Sequence, residues 1–440
     1  MQETFHRLAD ELMNTLHGNE ALTCSFNGEE SAFVRFNHSQ IRQAGHVTQQ
    51  SITVDLSADL RHAAAEITLS GEWATDRARL QELLAELRAI RAQIPEDPYL
   101  LYATDVCSSE RIHPNQLPEA TAIAEQVLDA GVGHDLVGIL ASGPIHHGFA
   151  NSFGQRNWHS RASFNLDWSF YLKADKAVKS RYAGFAWDEA AFRDKVRMAS
   201  RQLDLLARPA RTIVPGTYRA YLAPAALEEI TDLLGWGGFG LRAHRTGMTP
   251  LMRMVEQDAR LSPWLTLREN TAQGIAPDFQ AAGFIRPAQV TLIEQGGYRD
   301  CLVSPRSAKE YGVPGNGAEN GETPLSLDMA PGTLPLARVL ETLDTGLYIG
   351  NLWYLNYSDR NAARLTGMTR FATFWVENGT IQAPVNVMRF DDSLFHLLGD
   401  RLLNLTAERE LLLDPGSYGG RSSRCSRLPG ALLEGMHFTL

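Results

Sequence analysis

The sequence predicts an α+β protein of two domains, a sheet-plus-helices domain first and a mainly β domain after it. Three observations predict this. The chain has 440 residues, more than one ordinary core accommodates and enough for two domains of about 200 residues each. Its first half mixes short strand-like runs with stretches whose apolar residues recur at three- and four-residue spacing. Finally, a Pro-containing polar tetrad, Arg208-Pro209-Ala210-Arg211, separates the longest helix signal from a new series of strands; the break implies an α+β domain over 1–208 and a mainly β domain over 212–440.

At the amino terminus Phe5, Leu8, Leu12 and Leu16 fall on one face and Gly18 follows, the pattern of an amphipathic helix and its stop. Leu22 to Phe26, Ser31 to Phe36 and Ile52 to Leu56 are strand-like, and His62 to Leu69 alternates less cleanly. With the polar run Asn37 to Gln50 as a connection, they predict an antiparallel meander. A helix is expected from about Thr75, with Leu80, Leu83, Leu84, Leu87, Ile90 and Ile94 at helical spacing and Pro95 closing it. Pro118 opens another helix that ends at Gly131. Asp135 to Leu140 reads as a buried strand leading into a Gly- and Ser-containing turn, Ser163 to Leu172 as a further strand, and Trp187 to Leu206 as the longest helix.

In the second half, Tyr218 to Leu222 predicts a strand and Pro224 the first turn of a helix through Leu234. A Gly-rich loop, Gly235 to Gly240, follows. Val290 to Glu294 and Tyr298 to Val303 are expected to pair across Gly296-Gly297, ahead of a short helix near Ser307 to Tyr311 and a surface loop from Gly312 to Gly321. A helix over Leu336 to Leu343 feeds a strand from Leu347, and a polar loop, Tyr357 to Arg370, leads to a second strand, Phe371 to Val376. Asn378-Gly379 supplies the two positive-φ positions of a type I′ turn into Ile381. Ser393 to Leu405 is expected to be the last helix, and residues 417–440 a strand-like tail.

A formal net charge of -10 argues against nucleic-acid binding, which needs a basic face. No run reaches the roughly 18 apolar residues of a membrane span, and the amino terminus lacks a basic-then-apolar leader. A cytoplasmic protein without membrane contact is therefore expected. The four cysteines, Cys24, Cys107, Cys301 and Cys425, lie far apart with no Cys-x-x-Cys pair, as reduced thiols do.

Few residues carry chemistry. There is no Gly-x-Ser-x-Gly elbow, and no phosphate or dinucleotide loop follows a strand; the Gly235 to Gly240 loop follows a helix. His146-His147 are neighbours on an extended segment and point to opposite faces, so they do not ligate one ion together. Glu228, Glu229 and Asp232 share a helical face that suits either a hard cation or simple compensation of the helix dipole. Cys425 stands between Arg424 and Arg427, charges that would lower its pKa and make a reactive thiol, unless the thiol is buried and structural. Arg360, Arg364 and Arg370 fit a peptide carboxylate or an acidic partner through bidentate pairing, or else brace the hairpin through Asp359 or Glu377.

A Gly346-Leu347-Tyr348-Ile349 strand, a Ser358-Asp359-Arg360 loop, Phe374-Trp375-Val376-Glu377-Asn378-Gly379 and the returning Ile381-Gln382-Ala383-Pro384-Val385 together resemble the carboxy-terminal signature of the TldD/PmbA family. The segment from Thr291 to Gly312 and, more briefly, Ala150-Asn151-Ser152-Phe153-Gly154 also look like that family. Its zinc-bearing branch carries His-Glu-x-x-x-His on a helix after a Leu-x-Pro strand end, and a tail cysteine completes the metal site. Here Leu222-Ala223-Pro224 matches the strand end, Cys425 falls at the tail position, and the helix contains no histidine; the nearest is His244. The resemblance thus implies the PmbA/TldE-like branch: no catalytic residue and no metal in this chain, and zinc in a TldD-type partner subunit. The pair would form a dimeric cytosolic metallopeptidase acting on unfolded or modified peptides. Two other readings stand beside it, a stand-alone peptidase with a site at Cys425 or the helix carboxylates, and a regulatory binding protein of the gyrase-modulator type.

Overall fold

The computed structural model describes residues 1–173 and 176–439. Its first half supplies α1 (Gln2–Met13), β1 (Ala21–Asn37), β2 (Gln40–Ala58), β3 (Arg61–Thr68), α2 (Trp73–Arg91), β4 (Ser109–Ile112), α3 (Ala120–Gly131), β5 (Asp135–Asn151), β6 (Arg156–Lys173), β7 (Lys176–Gly184) and α4 (Glu189–Leu206). These strands form one sheet in the order β3-β2-β1-β5-β6-β4, with β7 also paired to β6. The helices are where the apolar spacing predicts them. α1 buries Phe5, Leu8 and Leu12, and α4 is capped by Asp188, whose side chain accepts from the Ala191 amide.

The strands run longer than expected. Leu22 to Phe26 and Ser31 to Phe36 belong to one 17-residue strand, β1. The polar run expected as a connection is the exposed half of β2, paired to β1 as far as Asn37 and Gln40. A two-residue turn at His38-Ser39, with φ of 50° and 55°, permits this hairpin. Its ladder is held by backbone hydrogen bonds, so a ribbon solvated on both faces shows no apolar alternation to read. The turn expected after Leu140 is likewise part of β5, where Gly143 lets the strand approach Glu30: a Cβ there would lie 2.1 Å from the Glu30 carbonyl oxygen. β7 was not anticipated.

The second half supplies β8 (Gly216–Leu222), α5 (Pro224–Gly235), α6 (Leu241–Arg245), α7 (Met252–Gln257), β9 (Leu267–Glu269), β10 (Val290–Glu294), β11 (Gly297–Tyr298), α8 (Pro305–Tyr311), β12 (Ser326–Met329), α9 (Val339–Leu343), β13 (Gly346–Asp359), β14 (Arg364–Glu377), β15 (Thr380–Pro384), β16 (Arg389–Ser393), β17 (Leu402–Leu413) and β18 (Cys425–Phe438). The sheet order is β11-β10-β9-β12-β18-β16-β14-β13-β8, with β15 on β14 and β17 on β18. Because β8 also pairs with β18, the β18-β16-β14-β13-β8 portion closes on itself. Leu222, Leu347, Ile349, Leu365, Phe390 and Leu433 belong to the core of this half.

Asn378-Gly379 turns with φ of 50° and 70°, as its sequence requires. The polar loop expected from Tyr357 to Arg370 shrinks to residues 360–363, since β13 and β14 continue as a ribbon on either side. The last expected helix is also corrected. Ser393 ends β16, a single wide turn spans His396–Asp400, and Leu402 begins β17. Leu394, Leu397, Leu398, Leu402 and Leu405 are all buried, and Gly399 takes a non-helical φ of -113° and ψ of -112° that ends the turn. The buried leucines keep a spacing that fits a helix, so the pattern by itself does not reveal the break at Gly399.

The halves share a core. Ala372 and Phe374 of β14 pack with Phe164, Leu166, Val178 and Phe192 of the first sheet and its helices. Polar ties add to this, with Gln155 donating to the Gly283 carbonyl at 2.9 Å and Arg421 to the Gly143 and Ser163 carbonyls at 2.9 Å each. Among the described residues no helix is long and apolar enough to cross a membrane.

Candidate functional site

Strand β8 ends at Leu222 and the chain turns directly into α5, with Pro224 in the first turn. Leu227, Ile230 and Leu234 bury one side of α5 in the core. Its acidic positions line a cleft of about 140 Å³ shared with Arg181 of β7 and with Arg424, Cys425 and Ser426 at the start of β18.

Glu228 is the buried member, 7% exposed. Its carboxylate accepts from Arg181 Nη1 and, at 3.1 Å, from the Ser426 hydroxyl. Arg181 also reaches Asp167 at 3.3 Å, a carboxylate that Lys179 approaches to 3.2 Å. Burial pushes the Glu228 carboxyl up to about 7, against the opposing pull of Arg181. Glu229 and Asp232 are raised for the same reason, and for Asp232 the opposing charge is Arg424 at 3.9 Å. Cys425 pairs with Ser326 across β12 and β18. Burial pushes its thiol up, opposite to the effect expected from flanking arginines.

These residues do not fit the zinc centre of the family's metal-bearing branch. α5 offers no imidazole, its buried carboxylate is held by a guanidinium, and Cys425 stands alone as a soft ligand. Among the described residues no group of three His, Cys, Asp or Glu side chains is placed to hold a metal ion. His244 lies on α6, where Nε2 is 2.8 Å from the Gly238 carbonyl and Nδ1 is 3.2 Å from the Tyr298 hydroxyl. His146 stacks on Trp158, whereas His147 sits between Asn27 at 2.9 Å and Ser423 at 2.7 Å.

Arg360, Arg364 and Arg370 are spread along the β13–β14 ribbon. Arg360 donates to the Met248 and Trp236 carbonyls at 2.7 and 2.9 Å and lies over the Trp236 and Tyr357 rings. Arg364 pairs with Asp391, and Arg370 stacks over Trp353 at 4.3 Å. Asp359 and Glu377 are engaged elsewhere, Asp359 by the Ala362 amide and Glu377 by Arg211 and the Trp375 indole N–H. The residue that sequence reasoning missed is Arg181. Its strand does show a period of two, with Val178, Ser180 and Tyr182 on one face and Lys179 and Arg181 on the other, but nothing local ties it to α5.

Solved structures share this architecture over nearly the whole chain. A candidate modulator of a DNA gyrase from Thermotoga maritima MSB8 matches with a TM-score of 0.76 at 13% identity, covering 99% of both chains. TldE from Thermococcus kodakarensis matches with a TM-score of 0.76 at 14% identity over 100% of both. A further candidate modulator of DNA gyrase, from Bacteroides thetaiotaomicron VPI-5482, gives 0.74 at 13% identity over 99% of this chain and 98% of that one. At such identities the likeness establishes the fold. No curated protein matches the sequence. The family model for the PmbA/TldA metallopeptidase C-terminal domain matches residues 215–439, so the second half is a metallopeptidase-related domain. That match spans just over half of the sequence, and the chain belongs to the PmbA/TldD family.

Proposed function

We propose that this chain is a non-catalytic subunit of a cytosolic TldD/TldE-type peptidase, paired with a zinc-bearing subunit and helping to enclose unfolded or modified peptides. One observation carries the reading. On α5, the helix that bears the metal ligands in the zinc branch, the buried carboxylate is Glu228, closed by Arg181 and Ser426. A guanidinium at that carboxylate repels a cation and occupies the acceptor a general base would need. The likeness to a TldE structure supports the same assignment. Arg360, Arg364 and Arg370 are the places proposed for peptide or partner contact: Arg360 and Arg370 stack on exposed aromatics, the composition of interface hot spots, and Arg364, paired with Asp391, lies between them on the same ribbon.

The test is to express the chain alone and together with a zinc-bearing family member. The proposal expects co-purification, zinc only in the partner, and peptide hydrolysis only by the pair. Stoichiometric zinc in the isolated chain, with hydrolysis abolished by a chelator, would refute it.

A further inference from the structure

The outward face of strands β13, β14 and β16 carries cations without carboxylates and aromatics without cover. Direct cross-strand partners share a face, so Trp353 of β13, Met368 of β14 and Arg389 of β16 form one row, about 10 Å across at the usual strand spacing, and Arg370 follows two residues after Met368 on the same side. The Arg370 guanidinium lies over the Trp353 ring at 4.3 Å, and Arg389 Nε donates to the Thr366 hydroxyl at 3.1 Å. Among the described residues neither arginine has a carboxylate partner. The acids on this face are engaged, Asp391 by Arg364 and Asp359 by the Ala362 amide. Trp353 is 48% exposed, and Tyr354, whose ring centre is 5.6 Å from that of Trp353, is 75% exposed. Val387, just ahead of β16, is exposed as well.

The backbone presents these aromatics at a cost. Two bulges interrupt the β13–β14 ladder: Tyr354 and Leu355 stand opposite Gly367, and Phe371 and Ala372 stand opposite Gly350. Tyr354 and Phe371 take φ of 60° and 54°, a left-handed conformation that bulky side chains rarely adopt. Burial does not offset the strain at Tyr354, because its ring is exposed. Strain of this kind collects where a surface is shaped for contact. The charges decide the chemistry of that contact. Two guanidiniums without acids, on a chain of formal net charge -10, suit carboxylates. They are too few for a phosphate backbone, and Trp353, the ring that would stack a base, already carries Arg370. We propose that this face docks an acidic segment of a partner protein. Its carboxylates pair with Arg370 and Arg389, and an apolar side chain of the segment lies on Trp353 and Tyr354. That a partner exists to dock here rests on the function proposed above.

Binding is tested on the isolated full chain by fluorescence anisotropy, with a labelled, end-blocked Glu-Asp-Leu-Phe-Asp-Glu and its counterpart Lys-Lys-Leu-Phe-Lys-Lys. The acidic peptide is expected to bind at least about tenfold more tightly than the basic one, and to weaken as salt is added. Arg370→Gln and Arg389→Gln should each weaken it by about threefold to tenfold. Tyr354→Gly separates contact from structure. Glycine accepts a positive φ without strain, so the variant should unfold at the same or a higher temperature than the wild type while losing about tenfold in affinity for the acidic peptide. No measurable binding of the acidic peptide, equal binding of the two peptides, or an unchanged affinity in Tyr354→Gly overturns the proposal. Tighter binding of an oligothymidylate than of the acidic peptide, lost in the same variants, overturns the assignment to a protein partner. No partner subunit is present in this assay, so its failure is separate from failure of the subunit reading, which shows as absent co-purification.

Discussion

Replacing Arg181 with methionine removes the one cation that, among the described residues, contacts the Glu228 carboxylate, while keeping the bulk of the stem. In the intact protein burial holds this carboxyl near 7, against 4.5 as its ordinary value. A carboxyl raised on folding contributes stability that is fully present below about pH 4.5 and is lost as the pH rises through 7. At about 1.4 kcal/mol per pH unit, the loss is on the order of 3 kcal/mol. Without Arg181 the carboxyl moves higher still, so the variant keeps losing stability above pH 7 where the wild type has levelled off. At pH 8 Arg181→Met should be destabilised by about 3–5 kcal/mol, as when one partner of a buried pair is removed. At pH 5 Glu228 is protonated in both proteins, and the gap should narrow to about 1–2 kcal/mol, left by the lost Asp167 contact. Urea unfolding of wild type, Arg181→Met and Arg181→Met/Glu228→Gln at both pH values measures this, and the double variant should recover most of the loss at pH 8. An equal gap at both pH values, with no rescue by Glu228→Gln, would refute the reasoning.

Three further predictions follow from the packing. His159 is buried and His147 half-buried, and desolvation pushes the two imidazoles down to about 3 and about 4. Their contribution is complete above 6.5 and falls as the pH drops from there towards those values, costing about 2 kcal/mol each at pH 5; thermal unfolding at pH 7 and 5 should show it, with a shallower loss in His147→Asn. Phe374→Ala opens a cavity in the core shared by both halves and should cost about 3–5 kcal/mol in denaturant unfolding. Alanine at Arg360, Arg364 and Arg370 together should weaken partner or peptide binding while the fold survives. The half-exposed Arg364–Asp391 pair contributes under about 1 kcal/mol, so collapse of the triple variant would make the arginines braces instead.

Much of this architecture can be read from residue spacing, and the exceptions share causes. α1, α2 and α4 each bury one apolar stripe, and the Asn378-Gly379 turn is dictated by two positive-φ positions. The errors occur where the side-chain pattern is silent or misleading. Gln40 to Thr48 is solvated on both sides of its strand, and in Leu394 to Leu405 the leucines keep helical spacing across the non-helical Gly399. For the site, the sequence shows that α5 has no histidine and that Glu228 lies on its acidic face. It does not show that Arg181, 47 residues earlier, closes on that carboxylate, because that contact depends on how the two sheets pack.

Under the proposed function, the Arg181–Glu228 pair closes the α5 site and metal chemistry belongs to a partner. Zinc analysis of the purified chain and of its co-purified complex with a zinc-bearing family member tests it most directly. The account predicts no bound zinc in the chain alone and one zinc per pair in the complex, with hydrolysis of unfolded peptides only there. Stoichiometric zinc in the isolated chain, lost on replacing Glu228 or Cys425 together with a chelator-sensitive peptidase activity, would contradict it.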